Sequence, residues 1–130
     1  MHKNFLLIGA MLGALAVAVG AFGAHGLQRL TDDETILKGY QTAAQYQMYH
    51  ALALLVTGIL AERFHGKLMS WAGTCFITGI VLFSGSLYLL TYLKIQASTA
   101  VKFIGPVTPV GGIFFIAGWL LLFAAIMKRK

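Results

Sequence analysis

The side chains best able to do chemistry stand together. Gln45, Tyr46, Gln47, Met48, Tyr49 and His50 follow one another at the start of an otherwise apolar stretch. An imidazole, two phenols and two carboxamides could hold a small molecule or a lipid headgroup. In hydrocarbon such groups are tolerated where they face a bundle interior or a water-filled cavity, so they are the first place to look for function. His25, in Gly20-Ala21-Phe22-Gly23-Ala24-His25-Gly26, supplies a second imidazole. Two imidazoles on facing helices could hold a haem or a metal. No third ligand stands at a spacing like those of zinc sites, so no metal and no cofactor is expected.

Other chemistries find less support. The carboxylates Asp32, Asp33, Glu34 and Glu62 fall in predicted loops, which leaves no buried acid pair for proton transfer. Cys75 is the sole cysteine and excludes an intrachain disulfide. Gly20, Gly23 and Gly26 form a GxxGxxG run that ends a predicted helix, whereas a phosphate-binding loop begins one. No catalytic residue is assigned and no enzyme is expected.

The elements that must position these groups follow from composition. The chain has 130 residues, 58% hydrophobic and 11% charged, with a mean hydropathy of +0.79. That is too apolar to clothe a soluble domain and predicts an integral membrane protein. Four apolar stretches, 5–23, 43–61, 71–93 and 109–127, are each long enough to cross about 30 Å of hydrocarbon as a helix. Without water to solvate the backbone they must be helices. Short connections favour antiparallel neighbours. The expected fold is therefore all-α: a single domain over 1–130, an up-and-down bundle of four transmembrane helices. A cleaved signal peptide is the rival reading of the first stretch, since Lys3 precedes it and Ala16-Val17-Ala18 has a small-x-small form. The small-residue pattern running on to Gly23 favours a retained helix.

Lys3, Arg63, Lys67, Lys128, Arg129 and Lys130 fall on one side, against Arg29, Lys38, Lys94 and Lys102 on the other. Six against four puts both termini in the cytoplasm of a plasma or inner membrane. The net charge of +6 is largely placed at membrane edges, without the aromatic interleaving of a nucleic-acid surface. The expected partners are the lipid bilayer and, beyond it, further copies or a larger membrane complex, with no nucleic acid.

Gly9, Gly13, Ala16, Gly20 and Gly23 recur at steps of four, three, four and three and form a helix-packing stripe. Ala72, Cys75, Gly79, Leu82 and Ser86 offer a partner stripe, and Gly111, Gly118 and Ala125 a third. Phased at 100° per residue, Tyr46, His50, Ala53, Thr57 and Ala61 share a line, with Gln45 and Tyr49 beside it. Met48, Ala51, Leu55 and Ile59 fall opposite, and Leu55 and Ile59 are expected to meet lipid. The polar cluster then comprises His25, Gln45, Tyr46, Tyr49 and His50, with Ser84 or Ser86 as the hydrogen-bond partner of His50. Thr31-Asp32-Asp33-Glu34 reads as the cap of a short interfacial helix, and Thr108 as the cap of the last span with Pro109 in its first turn.

Four runs, Gly20-Ala21-Phe22-Gly23-Ala24-His25-Gly26-Leu27, Gln45-Tyr46-Gln47-Met48-Tyr49-His50-Ala51-Leu52, Phe83-Ser84-Gly85-Ser86-Leu87-Tyr88 and Thr108-Pro109-Val110-Gly111-Gly112, occur in this order. In this the chain resembles the YgdD/YwdK family, small bacterial membrane proteins of unknown function with eukaryotic relatives. The resemblance covers nearly the whole chain and implies about four helices in a bacterial membrane. It implies no activity. Two functional classes stay open: a non-enzymatic structural or accessory membrane component, and a binding or transport protein using an outer-leaflet polar pocket around His50.

Overall fold

Each long helix begins where the sequence supplies a stop to the preceding chain. The computed structural model describes residues 1–128. Arg129 and Lys130, counted above toward the cytoplasmic side, lie outside the described residues. Helix α1 is Lys3–His25, opened by the ring of His2, whose Nδ1 accepts from the Phe5 amide. Helix α2 is Glu34–Leu60, capped by Asp33, which accepts from the Thr35 amide at 2.9 Å. The acidic run therefore opens the long helix itself instead of a separate short one, because nothing between Asp33 and the apolar stretch breaks the helix. A third stretch runs without a break through α3 (Lys67–Gly79), a π-helical segment (Ile80–Ser84) and α4 (Gly85–Ile95). After the short α5 (Val101–Ile104), α6 (Val107–Met127) completes the chain. Pro106 caps α6 and Pro109 sits in its first turn, so Thr108 lies inside the helix and its hydroxyl is released for another use.

Among the described residues three helical stretches are long and apolar enough to cross a membrane: Lys3–Arg29, Lys67–Ile95 and Val101–Met127. The fourth long helix, α2, is not clearly a further span, because Gln45, Gln47 and His50 lower its apolarity. Its position accounts for that composition. α2 is the central rod, with α1 on one side and the α3–α4 stretch on the other. The buried residues Tyr40, Ala43, Gln47, His50, Leu54 and Thr57 advance in alternating steps of three and four along one line.

α1 lies antiparallel against α2, the His2 amide donating to the Gly58 carbonyl at 2.9 Å. Its small residues face α2, and the expected match with the small residues of α3 does not occur. A Cβ on Gly9 would meet Leu55 and the Ala51 carbonyl, and one on Gly23 would fall 2.5 Å from the Tyr40 ring. Ala16 is buried too, a Cβ on Gly13 would touch the Met48 sulfur of α2 at 4.0 Å, and Gly20 has open space. Leu55 and Ala51 therefore pack on α1, and the outward face of α2 is Tyr49, Leu52, Val56 and Ile59.

The small residues of α3 and α6 serve each other. Gly79 admits the Phe115 ring, Gly118 admits the Phe76 ring, and Gly73 of α3 admits Phe5 of α1. At Gly111 the approach is to main chain: a Cβ there would fall 2.3 Å from the Phe83 nitrogen, inside the π-helical segment. Cys75 of α3 is half-buried. Without a hydrophobic drive between helices in lipid, close contact of this kind is what holds them.

The two classes of glycine predict opposite outcomes. Gly111→Ala forces main chain apart and should cost about 1–3 kcal/mol, as overpacking does. Gly20→Ala meets nothing and should gain up to about 1 kcal/mol of helix propensity. Thermal unfolding of both variants in one detergent checks this; equal midpoints would contradict the close α6 contact.

Candidate functional site

His50 is the centre of the polar cluster, and the structure defines its protonation. Its Nδ1 lies 2.7 Å from the Tyr46 carbonyl, which can only accept. Its Nε2 lies 3.1 Å from the indole Nε1 of Trp119, which can only donate. The two partners together require a neutral ring with the proton on Nδ1. Neither Ser84 nor Ser86 is its partner. The ring is stacked on Phe115 at 3.6 Å between centroids and 7° between planes, and Phe76 approaches from α3 at 5.8 Å. Both nitrogens being engaged, the imidazole has no lone pair left for a haem or metal.

Gln47 does more than its place in the run indicated. It is buried, its amide donating to the Leu12 carbonyl of α1 at 2.8 Å and its Oε1 accepting from the Tyr88 hydroxyl of α4 at 2.6 Å. One side chain thus joins three helices. Tyr40, a heptad earlier, donates to the Val19 carbonyl of α1 at 2.6 Å. Ser84 donates to the Ala43 carbonyl of α2 at 2.8 Å. The Ser86 hydroxyl donates to the Phe83 carbonyl, so the hydroxyl of Thr108 on α6 is the donor in the Ser86–Thr108 contact. Among the described residues no buried side-chain nitrogen or oxygen lacks a partner.

The remaining expected members of the cluster are elsewhere. Gln45 is exposed and borders a shallow surface with Gly20, Gly23 and Gln41 on the α1 side. His25 is exposed at the end of α1, and its ring has no contact with that of His50, which is enclosed by α3 and α6. The cause is the central placing of α2: α1 covers one face and His50 occupies the other. Among the described residues no three His, Cys, Asp or Glu side chains come together as a metal site. Tyr46 and Tyr49 do lie beside His50. With Phe83, Gly112, Phe115, Ile116 and Trp119 they line a groove of about 560 Å³ between α2 and α6.

Tyr40, Gln47, Tyr88, Phe115 and Trp119 were missed as members of the site. The signal for two of them was present in the heptad line through Tyr40, Gln47 and His50. The others follow only from which helices adjoin α2.

The chain is similar to known membrane proteins along almost its full length. A family model described as "Protein of unknown function (DUF423)" matches residues 19–112. The UPF0382 membrane protein of Staphylococcus aureus strain bovine RF122 is 43% identical over 126 residues, 97% of each chain. That of Staphylococcus epidermidis strain RP62A is 44% identical over 126 residues, again 97% of each. The UPF0382 membrane protein YwdK of Bacillus subtilis strain 168 is 42% identical over 127 residues, covering 97% of this chain and 98% of YwdK. No solved structure matches the chain. An all-helical bundle with membrane-length apolar helices, a family match over most of its residues and these full-length relatives lead to one assignment: the chain belongs to the DUF423 family, whose relatives here are bacterial UPF0382 membrane proteins.

Proposed function

We propose that the protein is a multi-pass component of the bacterial cell membrane with four spanning helices and both termini in the cytoplasm. It acts without catalysis, as a structural or accessory unit alone, with further copies of itself or in a larger complex. The observation that carries this reading is the closed hydrogen-bonding of the buried polar groups on and around α2. His50, Gln47, Tyr40, Ser84 and Ser86 each bond to neighbouring helices or main chain, the pattern expected of groups that hold helices together.

The same closure supports α2 as a span. At 27 residues it is about 40 Å long, and its buried polar groups meet protein, while Leu52, Val56 and Ile59 are left for lipid. Both termini at one end require an even number of crossings. Reporter fusions at the N-terminus and the C-terminus should both report cytoplasmic; opposite sides would mean an odd number and remove α2 as a span.

If Gln47 is interhelical glue, Gln47→Leu and Tyr88→Phe should each destabilise the bundle. A double-mutant cycle should give a coupling of about 0.6 kcal/mol, the average for hydrogen bonds inside membrane proteins, and at most about 1.7 kcal/mol. A coupling near zero in detergent unfolding would argue against that role. For His50, nitrogen NMR of labelled histidine at neutral pH should show a neutral ring protonated at Nδ1, with the Nε2 resonance moved by Trp119→Phe. A ring protonated at Nε2 would contradict the Trp119 contact.

A further inference from the structure

The groove between α2 and α6 is not accounted for by the packing role. It opens sideways from the bundle, because Tyr49, Ile116 and Trp119 on its margins are each about half exposed or more, at 54%, 62% and 47%. Its walls are rings: Tyr46 is stacked on Phe83 at 4.8 Å, and Phe83 meets Phe115 at 5.4 Å. Gly112 leaves its floor low, since a Cβ there would find only the Phe83 ring, 3.9 Å away. The volume of about 560 Å³ lies in the usual range of small-molecule sites.

Among the described residues, two atoms in this apolar groove have no protein partner. The hydroxyls of Tyr46 and Tyr49 donate to nothing in the structure, whereas those of Tyr40 and Tyr88 are bonded. Tyr46 and Tyr49 lie three and six residues past Ala43, where the apolar stretch begins. At about 1.5 Å per residue this is about 5 and 9 Å along the helix. A phenol donor at that depth loses free energy unless it finds an acceptor, and hydrocarbon has none. Side chains on a helix lean toward its N-terminus, which brings these two hydroxyls back toward the edge of the hydrocarbon, where the molecules that surround a membrane-spanning chain carry an acceptor: the ester carbonyl that joins an acyl chain to glycerol.

We propose that the groove lined by Tyr46, Tyr49, Phe83, Gly112, Ile116 and Trp119 is a binding site for one acyl chain of a glycerolipid, whose ester carbonyl accepts from the Tyr46 and Tyr49 hydroxyls. The chain lies along the rings of Phe83 and Phe115, and His50, closed by its own bonds, forms part of the wall. The site goes beyond the packing role, since it uses the two phenols that packing leaves free.

The test pairs two phosphatidylglycerols with the same headgroup, one with ester-linked and one with ether-linked chains, titrated onto the full chain in detergent and read by native mass spectrometry. The expected result is one ester lipid held about tenfold more tightly than its ether analogue, a difference that Tyr46→Phe/Tyr49→Phe removes. Gly112→Leu and Ile116→Trp fill the groove from opposite edges and should each weaken ester-lipid binding about tenfold at an unchanged unfolding temperature. If Gly112→Leu fails to fold, Ile116→Trp decides. Equal binding of ester and ether lipids, or full lipid binding by the groove-filling variants, overturns the proposal. So does a dimer that those variants dissociate, which would make a second copy the occupant.

Discussion

A buried polar side chain has only protein to turn to, and the bundle is arranged around meeting that requirement on α2. The carboxamide of Gln47 needs a donor and an acceptor, and finds them on two different helices, α4 and α1. The imidazole of His50 needs the same and finds its own main chain and the indole of α6. These demands place α2 at the centre, since no peripheral helix could be reached from three sides. In return the polar groups define the relative rotation of the helices more sharply than apolar contact does, because a hydrogen bond between helices survives only a small turn of either one.

Close packing completes what the polar groups orient. Phe76 and Phe115 are accepted by Gly118 and Gly79 on the facing helices, so the α3–α6 contact is an exchange of rings for missing side chains. At Gly111 the exchange becomes main chain on main chain, against Phe83. That contact falls in the π-helical segment, where a wider turn shifts the register of everything after it. Ser84, its last residue, and Ser86, just beyond, are thereby presented to α2 and α6 respectively.

Much of the helical framework was legible from length and apolarity, since the stretches 5–23, 71–93 and 109–127 lie within the helices that formed. The importance of the polar run was legible too, because polarity in an apolar stretch is conspicuous. Its membership was less so. Phasing a helix assigns residues to faces but does not say how many faces are covered, and α2 is covered on more than one. Leu55 was therefore expected at lipid and instead packs beside Gly9. His25 and Gln45 were grouped with His50 by chain position and depth, whereas helix order separates them. Trp119 lies 69 residues from His50, a distance that no local pattern spans.

The bonds that fasten α1 have an unusual address. Tyr40 and Gln47 both reach across to it, yet they end on the carbonyls of Val19 and Leu12, atoms that every amino acid carries. What α2 recognises in α1 is therefore its backbone, made reachable by Gly9, Ala16 and Gly23, and not the identity of the residues that own the acceptors. A substitution at Val19 or Leu12 that keeps α1 helical therefore leaves both acceptors in place. The side chains on which this fastening depends are those of the donor helix and those few small residues.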